Sequence, residues 1–474
     1  MSIKVSAKVN ELKFSRHLTP FRGDGGFAKQ ILQQRLDQPQ DLDLGLANWL
    51  KEMRQDGIDR IANLSIPNTK DEDWKYTNLA ALQKHPFQIT RQAQHQDALV
   101  DRKFVQFITD RILPEAAQSH VTMIDGVFIP QMSAIENLPT GAIAGSLAEL
   151  SRNGKFELLR SNLDRHLSQH TDAHDYFATL NTACLSDVAV VFIPKGVEVE
   201  VPIQFVFATS SSPSEISIIS QPRCLVIAEA NSSLTLVETY IGMSTEPYFT
   251  NAVTEIWLGE NAQFDHTKVQ WEGNAAFHIG TTSIEQSRSS RYKSQAITLG
   301  AHLSRHNLNV QQAAEQTETD LNGLTLIACQ KIADTHSSIE HNFPHGSSHQ
   351  LHKCIVDDQA HAIFNGKIQV AKDAQLTDSR QLSRNLLLSS KSRVDTKPQL
   401  EIFADNVKCA HGATVSQIDA DELFYLQSRG INIESAQNLL TYAFAAEVID
   451  KIPVDSLRAT LNSFVLAKMQ TLVC

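Results

Sequence analysis

Apolar and polar residues alternate through most of the second half of the chain, with the period of two that is typical of β-strands. In Asp187–Ala208 (DVAVVFIPKGVEVEVPIQFVFA), every odd position from Val197 to Phe207 is apolar, which predicts a half-buried strand. The alternation recurs further on, and between about residues 187 and 415 no convincing amphipathic helix interrupts it. Strands are predicted in four later stretches: Ser232–Gly242, Asn251–Trp271, His361–Asp378 and Thr396–Val415.

Short turns divide these stretches, and their spacing bears on the architecture. Turns are predicted at Gly259-Glu260-Asn261 and at Asn365-Gly366. Many short strands without helices occur in sandwiches, barrels and stacked β-solenoids. Small-residue turns recur along the chain, but their uneven spacing gives no fixed period. The pattern alone therefore favours a solenoid only modestly.

Helices are predicted at the amino-terminal end, where apolar residues recur at three- and four-residue spacing. Gly26–Gly57 holds two such segments, divided by Pro39. A polar segment with two large aromatic residues, Pro67–Leu79, comes next, and a mixed region continues to about Leu180. The first third of the chain is therefore predicted to be a helical and mixed region.

The pattern turns helical again after Val415. Asp419 with Glu422 three residues later makes a capping-box-like helix start, and Gly430 is a natural helix end. A second helix is predicted to place on one stripe Ala436, Leu439, Leu440, Ala443, Phe444 and Val448. A third helix follows Pro453. We therefore divide the chain into residues 1–180, a β core over residues 181–415, and a helical domain over residues 416–474.

Composition and charge exclude several classes of function. The chain has 474 residues and a net charge of −11, and its Lys and Arg are scattered, so nucleic acid is a poor candidate partner. No window approaches the ~20 consecutive apolar residues needed to cross a bilayer, and the first residues lack a secretory signal. The six cysteines are spread far apart without a C-x-x-C pair. We expect reduced thiols and a soluble, cytoplasmic protein.

Several catalytic motifs are missing from the sequence. There is no phosphate-binding G-x-x-x-x-G-K-[ST] motif, no H-E-x-x-H and no G-x-S-x-G. We therefore expect that the chain does not hydrolyse ATP itself. No local set of four ligands predicts a closed structural zinc site either.

Histidines are concentrated in one segment. Six of the 18 histidines fall in it: His336, His341, His345, His349, His352 and His361. A metal site is one interpretation. The other is that these are hydrogen-bonded structural residues of strands, and we favour it because the segment carries no paired thiolates.

Cys409 and His411 form a more specific candidate site than the histidine-rich segment. In a strand they lie on one face, roughly 6.6 Å apart along it, so both side chains can meet the same partner. They can be part of an ordinary apolar face, since free cysteine is among the most buried residue types. Alternatively they are half of a metal site, because two ligands cannot complete a tetrahedral shell. The second interpretation requires a partner chain.

The residues around this pair carry a specific likeness. Val394–Ile431 (VDTKPQLEIFADNVKCAHGATVSQIDADELFYLQSRGI) resembles the carboxy-terminal signature of the SufB/SufD family of iron-sulfur cluster assembly proteins. EDWKYTNL (Glu72–Leu79) and IPKGVEVEVPI (Ile193–Ile203) are similar to two further elements of that family. SufB typically reads C-x-H-E-A-T where this chain has CAHGAT, and it lacks the W-K-Y-T element. The likeness is therefore to the SufD side of the family.

The resemblance implies a fold and a set of partners. It implies a mainly β chain in which a right-handed parallel β-helix is flanked by amino-terminal and carboxy-terminal α-helical domains. It implies a non-catalytic subunit of a SufBCD complex that pairs with SufB through the β-helix. It also implies that the carboxy-terminal helical domain binds SufC, an ABC-type ATPase. The isolated chain is expected to hold no tightly bound cofactor and to be capable of forming a homodimer, and the nascent iron-sulfur cluster is expected to be shared with SufB.

The resemblance also implies roles for particular residues. The position of His411 implies cluster assembly and transient metal binding at the interface with SufB, and Cys409 is an adjacent candidate. The helical segment is implied to dock SufC, with candidate contacts at Asp419, Glu422, Phe424, Tyr425, Arg429 and Gly430. Phe424 and Tyr425 can be contact residues or packing residues, and we favour packing.

Two other classes of function remain open at this point. A β-helix can be a polysaccharide-acting enzyme, although such enzymes usually carry a secretion signal and groove carboxylates. The histidine-rich segment can instead belong to a stand-alone metal-binding protein. Polysaccharide cleavage assays and metal titration of the isolated chain discriminate these alternatives.

Overall fold

Two parallel β-sheets form the centre of the computed structural model, which describes residues 26–36, 42–90, 98–169, 174–210 and 217–470. The strands, in chain order, are β1 (Gln88–Ile89), β2 (Ser119–Ile124), β3 (Val127–Phe128), β4 (Ala134–Ile135), β5 (Ile143–Ser146), β6 (Ala189–Ile193), β7 (Ile203–Thr209), β8 (Ile218–Ser220), β9 (Arg223–Ala228), β10 (Ser233–Gly242), β11 (Tyr248–Leu258), β12 (Gln263–Trp271), β13 (Ala276–Gln286), β14 (Arg291–Thr298), β15 (Leu303–Gln312), β16 (Glu318–Ile327), β17 (Ile332–His341), β18 (Ser347–Val356), β19 (His361–Val370), β20 (Asp378–Leu387), β21 (Arg393–Ile402) and β22 (Lys408–Ser416).

Helices lie on both sides of this strand region in the sequence. They are α1 (Phe27–Leu36), α2 (Leu44–Ile61), α3 (Ala80–Gln83), α4 (Arg102–Thr109), α5 (Leu147–Arg152), α6 (Phe156–His166), α7 (Tyr176–Ala183), α8 (Ala420–Ser428), α9 (Ile433–Ile449) and α10 (Asp455–Gln470). The two predicted amino-terminal helices are confirmed as α1 and α2, while Pro39 lies outside the described residues. The three predicted carboxy-terminal helices are confirmed as α8, α9 and α10.

The strands form a parallel β-helix, because successive strands alternate between the two sheets. One sheet runs in the order β21-β19-β17-β15-β13-β11-β9-β6-β5, and the other carries the even-numbered strands from β22 back to β10 and β7. The coil makes about seven turns over residues 203–416. This confirms the parallel β-helix with flanking helices that the sequence likeness implied.

The register explains why the sequence shows no fixed period. Ser233 pairs with Gln263, Gln263 with Arg291, and Arg291 with Glu318, so successive coils are 30, 28 and 27 residues long. The strands stay in register while the turns between them change length. An uneven repeat is therefore the normal signature of this solenoid.

One corner of the coil is built the same way in each turn. It carries a residue in the left-handed region, with φ between 56° and 63°, at Asn231, Asn261, Ser289, Gln316, His345 and Leu376. The backbone N–H of each donates to a carbonyl in the corner of the next coil, as from Asn261 to Arg288 at 2.8 Å. The predicted turn at Gly259-Glu260-Asn261 is confirmed and belongs to this ladder.

The predicted turn at Asn365-Gly366 is wrong, because both residues lie inside β19. Asn365 pairs with His336 on one side and with Lys397 on the other. Position 366 has to be glycine because the interior of the coil leaves no room for a side chain there. A Cβ atom built on it would lie 2.3 Å from Nε2 of Gln381 across the interior.

Replacing Gly366 by alanine is expected to destabilise the chain by about 1–3 kcal/mol, because the added methyl group overpacks the interior. Urea denaturation of both proteins measures the difference. Gly412→Ala is the matched control, since its Cβ would meet only the flexible Leu382 side chain, at 3.3 Å. Equal losses of stability in the two variants would contradict this explanation.

The half-buried strand predicted around Val197–Phe207 is also wrong in part. β6 ends at Ile193, a turn with Gly196 at φ 72° follows, and β7 begins only at Ile203. All residues of β7 are buried, so it is not half-exposed. The reason is that β2 pairs with β7, and Phe104 of α4 belongs to the same hydrophobic cluster as Val206.

The amino-terminal region covers the outer face of the odd-numbered sheet. Ile31 of α1 and Phe177 of α7 pack in one cluster with Phe249 and Phe277 of the sheet. The 3₁₀ turn Glu72–Trp74 places Trp74 in the same cluster. This packing buries aromatic surface that the strands would otherwise expose to water.

The carboxy-terminal helices cover the outer face of the other sheet. Val448 of α9 and Leu461 of α10 pack with Leu324 and Leu351 of the sheet. Lys353 adds a polar attachment, because its ammonium donates to the carbonyl of Phe444 at 2.9 Å and forms an ion pair with Glu447. Leu439, which is 45% exposed, and Ala443, which is also exposed, do not follow the predicted buried stripe.

The cysteines lie in different environments. Cys184, Cys224 and Cys354 are buried free thiols, and Cys409 is a half-buried one. Cys329 is half-buried in a turn at φ 66°. The expectation of reduced thiols is met at Cys184, Cys224, Cys354 and Cys409. Within the described residues, no helix is both long and apolar enough to cross a membrane.

Candidate functional site

The last coil of the β-helix leaves an open end. Among the strands that the structure describes, β21 pairs only with β19, and β22 pairs only with β20. No residue of β21 or β22 is fully buried, in contrast to β19 and β20 of the preceding coil. Each strand therefore presents one edge of unpaired backbone N–H and C=O groups, which is the surface on which another chain can add strands.

Cys409 and His411 lie at this open end. In the ladder between β20 and β22, Cys409 pairs with Ser379 and His411 with Gln381. Ser379 and Gln381 are buried, so this face of the strands points into the coil. Cys409 and His411 continue the same inward face on the last rung, where no further coil covers them.

The Cys409 thiol is the more enclosed of the two. It packs against the interior hydrophobic cluster, beside Leu400 and Val407. Burial raises the pKa of the Cys409 thiol, and the nearby carboxylate of Asp378 raises it further. The thiolate form that binds metal is therefore disfavoured in the isolated chain.

The His411 side chain is exposed. Its imidazole forms no hydrogen bond with any residue that the structure describes. Both ring nitrogens are available, one to coordinate a metal as neutral imidazole and the other to donate a hydrogen bond.

A chain of polar side chains lies directly under His411, inside the coil. Nε2 of Gln381 donates to Oε1 of Gln350 at 2.8 Å, and Nε2 of Gln350 donates to Oγ of Ser337 at 2.8 Å. Thr396 on the opposite sheet donates to Oγ of Ser383 at 3.0 Å. Sequence reasoning missed Gln381, because it lies one coil away from His411 and only the register brings the two together.

The six histidines of the predicted cluster do not converge. His341 and His352 are buried, while His336 and His361 pair with Asp334 and Asp395. His345 and His349 are exposed. Across the described ranges, no group of three or more His, Cys, Asp or Glu side chains is placed to hold a metal ion. The hydrogen-bonded structural interpretation accounts for His341, whose Nε2 lies 2.9 Å from Oγ of Ser348.

The two buried histidines of this segment, His341 and His352, make the stability of the folded chain depend on pH. Burial lowers the pKa of His341 to about 4 and that of His352 to about 4. Below about pH 6.5 the unfolded chain takes up protons at these residues and the folded chain does not. The free energy of unfolding is therefore expected to fall as the pH drops from 6.5 towards 4, by about 1.4 kcal/mol per pH unit for each histidine.

Denaturation of the wild type and of His352→Phe between pH 7 and pH 5 tests this expectation. Phenylalanine keeps an aromatic ring beside Phe364, on which His352 stacks at a centroid distance of 4.6 Å. The variant is expected to show a shallower pH dependence, by the contribution of one histidine. An unchanged slope would show that His352 does not stay neutral in the folded chain.

A second candidate surface lies on the helix that follows β22. Asp419 accepts hydrogen bonds from the N–H groups of Asp421 and Glu422, at 2.8 and 3.2 Å, and starts α8 as predicted. Gly430 has φ 87° just beyond the end of α8, as expected for a helix stop. Arg429 donates to the Tyr425 hydroxyl at 3.2 Å.

The aromatic pair on α8 is exposed. Phe424 is 71% and Tyr425 57% accessible, and none of the residues of α8 is buried. The expectation that the pair packs inside the chain is therefore wrong, because α8 projects away from the sheets that α9 and α10 cover. We call the exposed neighbours Phe424 and Tyr425 the aromatic patch.

The E-x-W-K-Y-T element joins the amino-terminal region to the late coils. The Arg305 guanidinium lies 3.9 Å from the ring centre of Trp74 and donates to Asp334 at 2.7 Å. Burial alone would raise the pKa of Asp334, but Arg305 beside it lowers the pKa to about 2. Lys397 on β21 forms an ion pair with Glu72 at 2.5 Å. The motif therefore has a structural role. Through the pair of Glu72 with Lys397 it contacts β21, which forms one rim of the open end.

Comparison with known proteins agrees with this geometry. Residues 28–205 match the SufBD protein N-terminal region, and residues 208–444 match the SufBD core domain of SUF system FeS cluster assembly. The chain belongs to the SufBD family. This confirms the family resemblance carried by the sequence around Cys409 and His411.

Relatives of this SufBD-family chain cover most of its length. A SufBD family iron-sulfur cluster assembly protein of Synechocystis sp. is 43% identical, over 88% of this chain and 90% of the relative. The chloroplastic protein ABCI7 of Arabidopsis thaliana is 32% identical, over 86% and 84% respectively. The iron-sulfur cluster assembly protein SufD of Escherichia coli is 30% identical, over 85% and 89%.

Proposed function

We propose that this SufBD-family chain is a non-catalytic subunit of a cytoplasmic SufBCD complex, in the position of SufD. In this role it pairs with SufB through the open end of its β-helix and binds the ATPase SufC through its carboxy-terminal helices. The observation that carries the proposal is the position of His411, exposed on the last inward-facing rung between two unpaired strand edges.

The ligands at the open end support a shared site. One exposed imidazole and one half-buried thiol cannot complete the four-ligand shell of iron, so a partner chain has to supply the remaining ligands. Iron and sulfide are the substrates of this assembly and not resident cofactors. His411 binds iron as neutral imidazole or carries a proton as sulfide arrives.

The aromatic patch supports a second partner. α8 buries none of its residues in this chain, yet Phe424 and Tyr425 present large apolar surface. Exposed aromatic residues of this kind are typical anchors of protein interfaces. In the proposal they bind the ATPase, and ATP-dependent movement of the docked helices shifts the open end between two arrangements.

Co-expression with SufB and SufC chains tests the proposal. We expect a complex that elutes as one species in size-exclusion chromatography and that acquires iron and sulfide under anaerobic conditions. Failure of the three chains to associate would refute it.

Equilibrium dialysis of the isolated chain with ferrous iron provides a second test. We expect weak binding that does not depend on His341 and His345. Tight stoichiometric binding lost on mutating His341 and His345 would contradict a shared site and favour a stand-alone metal-binding protein.

A further inference from the structure

Gln381 carries an unpaired hydrogen-bond acceptor next to the candidate site. The residue is 2% exposed and faces the interior of the coil from β20. Its Oε1 atom is buried and accepts no hydrogen bond. A buried acceptor without a donor is unfavourable, and native structures rarely leave one in that state.

The orientation of the Gln381 amide is fixed by its neighbours. Nε2 donates to Gln350 on the preceding coil, so this end of the amide is committed. Gly366 makes room for Nε2, since any side chain at that position would collide with it. Oε1 is therefore left for a donor that does not come from the preceding coil.

The nearest rung on the other side belongs to His411. Gln381 and His411 are directly paired in the parallel ladder, and neighbouring strands lie about 4.8 Å apart. Both side chains are on the inward face. The imidazole is exposed and forms no hydrogen bond with the described residues, so no such bond opposes a rotamer change that turns one ring N–H towards Gln381.

We infer that Gln381 is a positioning residue for His411: its side-chain oxygen accepts a hydrogen bond from one N–H of the imidazole. This bond fixes the tautomer and leaves the lone pair of the other ring nitrogen free to face outward. Histidines that bind metals usually donate their second N–H to a carbonyl or carboxylate in this way. The use of the free nitrogen in cluster assembly rests on the proposed function, whereas the hydrogen bond itself does not.

The tautomer of His411 can be measured in the full-length chain without any partner. The chain is labelled with ¹⁵N-histidine and studied at pH 8. The His411 signals are assigned by their loss in His411→Ala. We expect one tautomer to dominate in the wild type, and its ratio to the other to fall about fivefold in Gln381→Met, which lacks the acceptor. Gln381→Glu keeps an acceptor and should retain the dominant tautomer.

Asn385→Leu is the matched control. Asn385 lies on the same face of β20 and also has a buried, unpaired side-chain oxygen, but its partner in the ladder is Val415. We expect this variant to leave the His411 tautomer unchanged. An equal tautomer ratio in the wild type and in Gln381→Met would overturn the inference, as would an equal shift in Asn385→Leu. Neither outcome depends on whether the SufBCD complex assembles. A failure of this inference can therefore be distinguished from a failure of the proposed function.

Discussion

Replacing His411 by alanine is expected to abolish iron-sulfur cluster formation in the assembled complex while leaving the chain folded and the complex intact. The side chain is exposed and forms no hydrogen bond within the described part of the chain, so its loss should change the free energy of unfolding by no more than about 0.5 kcal/mol. The proposed iron site, by contrast, loses its imidazole ligand. Anaerobic iron and sulfide analysis of the purified complex measures the effect.

His349→Ala is the control for this experiment. His349 is also exposed, but it lies inside β18, away from the last rung. We expect that variant to assemble clusters at the wild-type level. Normal cluster content in the His411→Ala complex would remove His411 from the mechanism.

Replacing Phe424 by aspartate on the proposed docking surface is expected to weaken binding of the ATPase subunit strongly. Removing an aromatic anchor from the centre of an interface costs about 2–4 kcal/mol, which weakens binding by roughly 30- to 1,000-fold. A charge placed in the aromatic patch opposes binding further, because it has to be desolvated. Since Phe424 is exposed, the thermal stability of the isolated chain should stay the same. Titration calorimetry with the purified ATPase gives the affinity.

Phe343→Asp provides the comparison for the aromatic patch. Phe343 is another exposed phenylalanine, at 46%, but it lies in the turn between β17 and β18. That variant should bind the ATPase with unchanged affinity. Full ATPase affinity in Phe424→Asp would place the docking surface elsewhere on the chain.

The elements with strong local signals could be predicted from the sequence. Asp419 and Gly430 bound a helix because their side-chain and backbone preferences act locally, and the structure places the start and end of α8 there. Period-two alternation likewise located strands such as β10 and β12. These features depend on residues only a few positions apart.

Features set by long-range packing could not be predicted. Asn365-Gly366 has the composition of a turn, yet both residues lie in a strand. Position 366 is a glycine because the Gln381 side chain on the opposite sheet occupies the space that a Cβ atom would need. The exposure of Phe424 depends on where α8 lies relative to the sheets, which its own sequence does not specify. The pairing of Gln381 with His411 is a matter of register, and register follows from turn lengths that vary between coils.

The two rims of the open end are connected to different parts of the molecule. β21 is tied to the amino-terminal region through Lys397 and Glu72, whereas β22 runs within a few residues into α8. A movement of α8 is therefore expected to displace the rim that bears His411 more directly than the opposite rim. We expect such a movement to change the separation of the two rims rather than the shape of the whole coil.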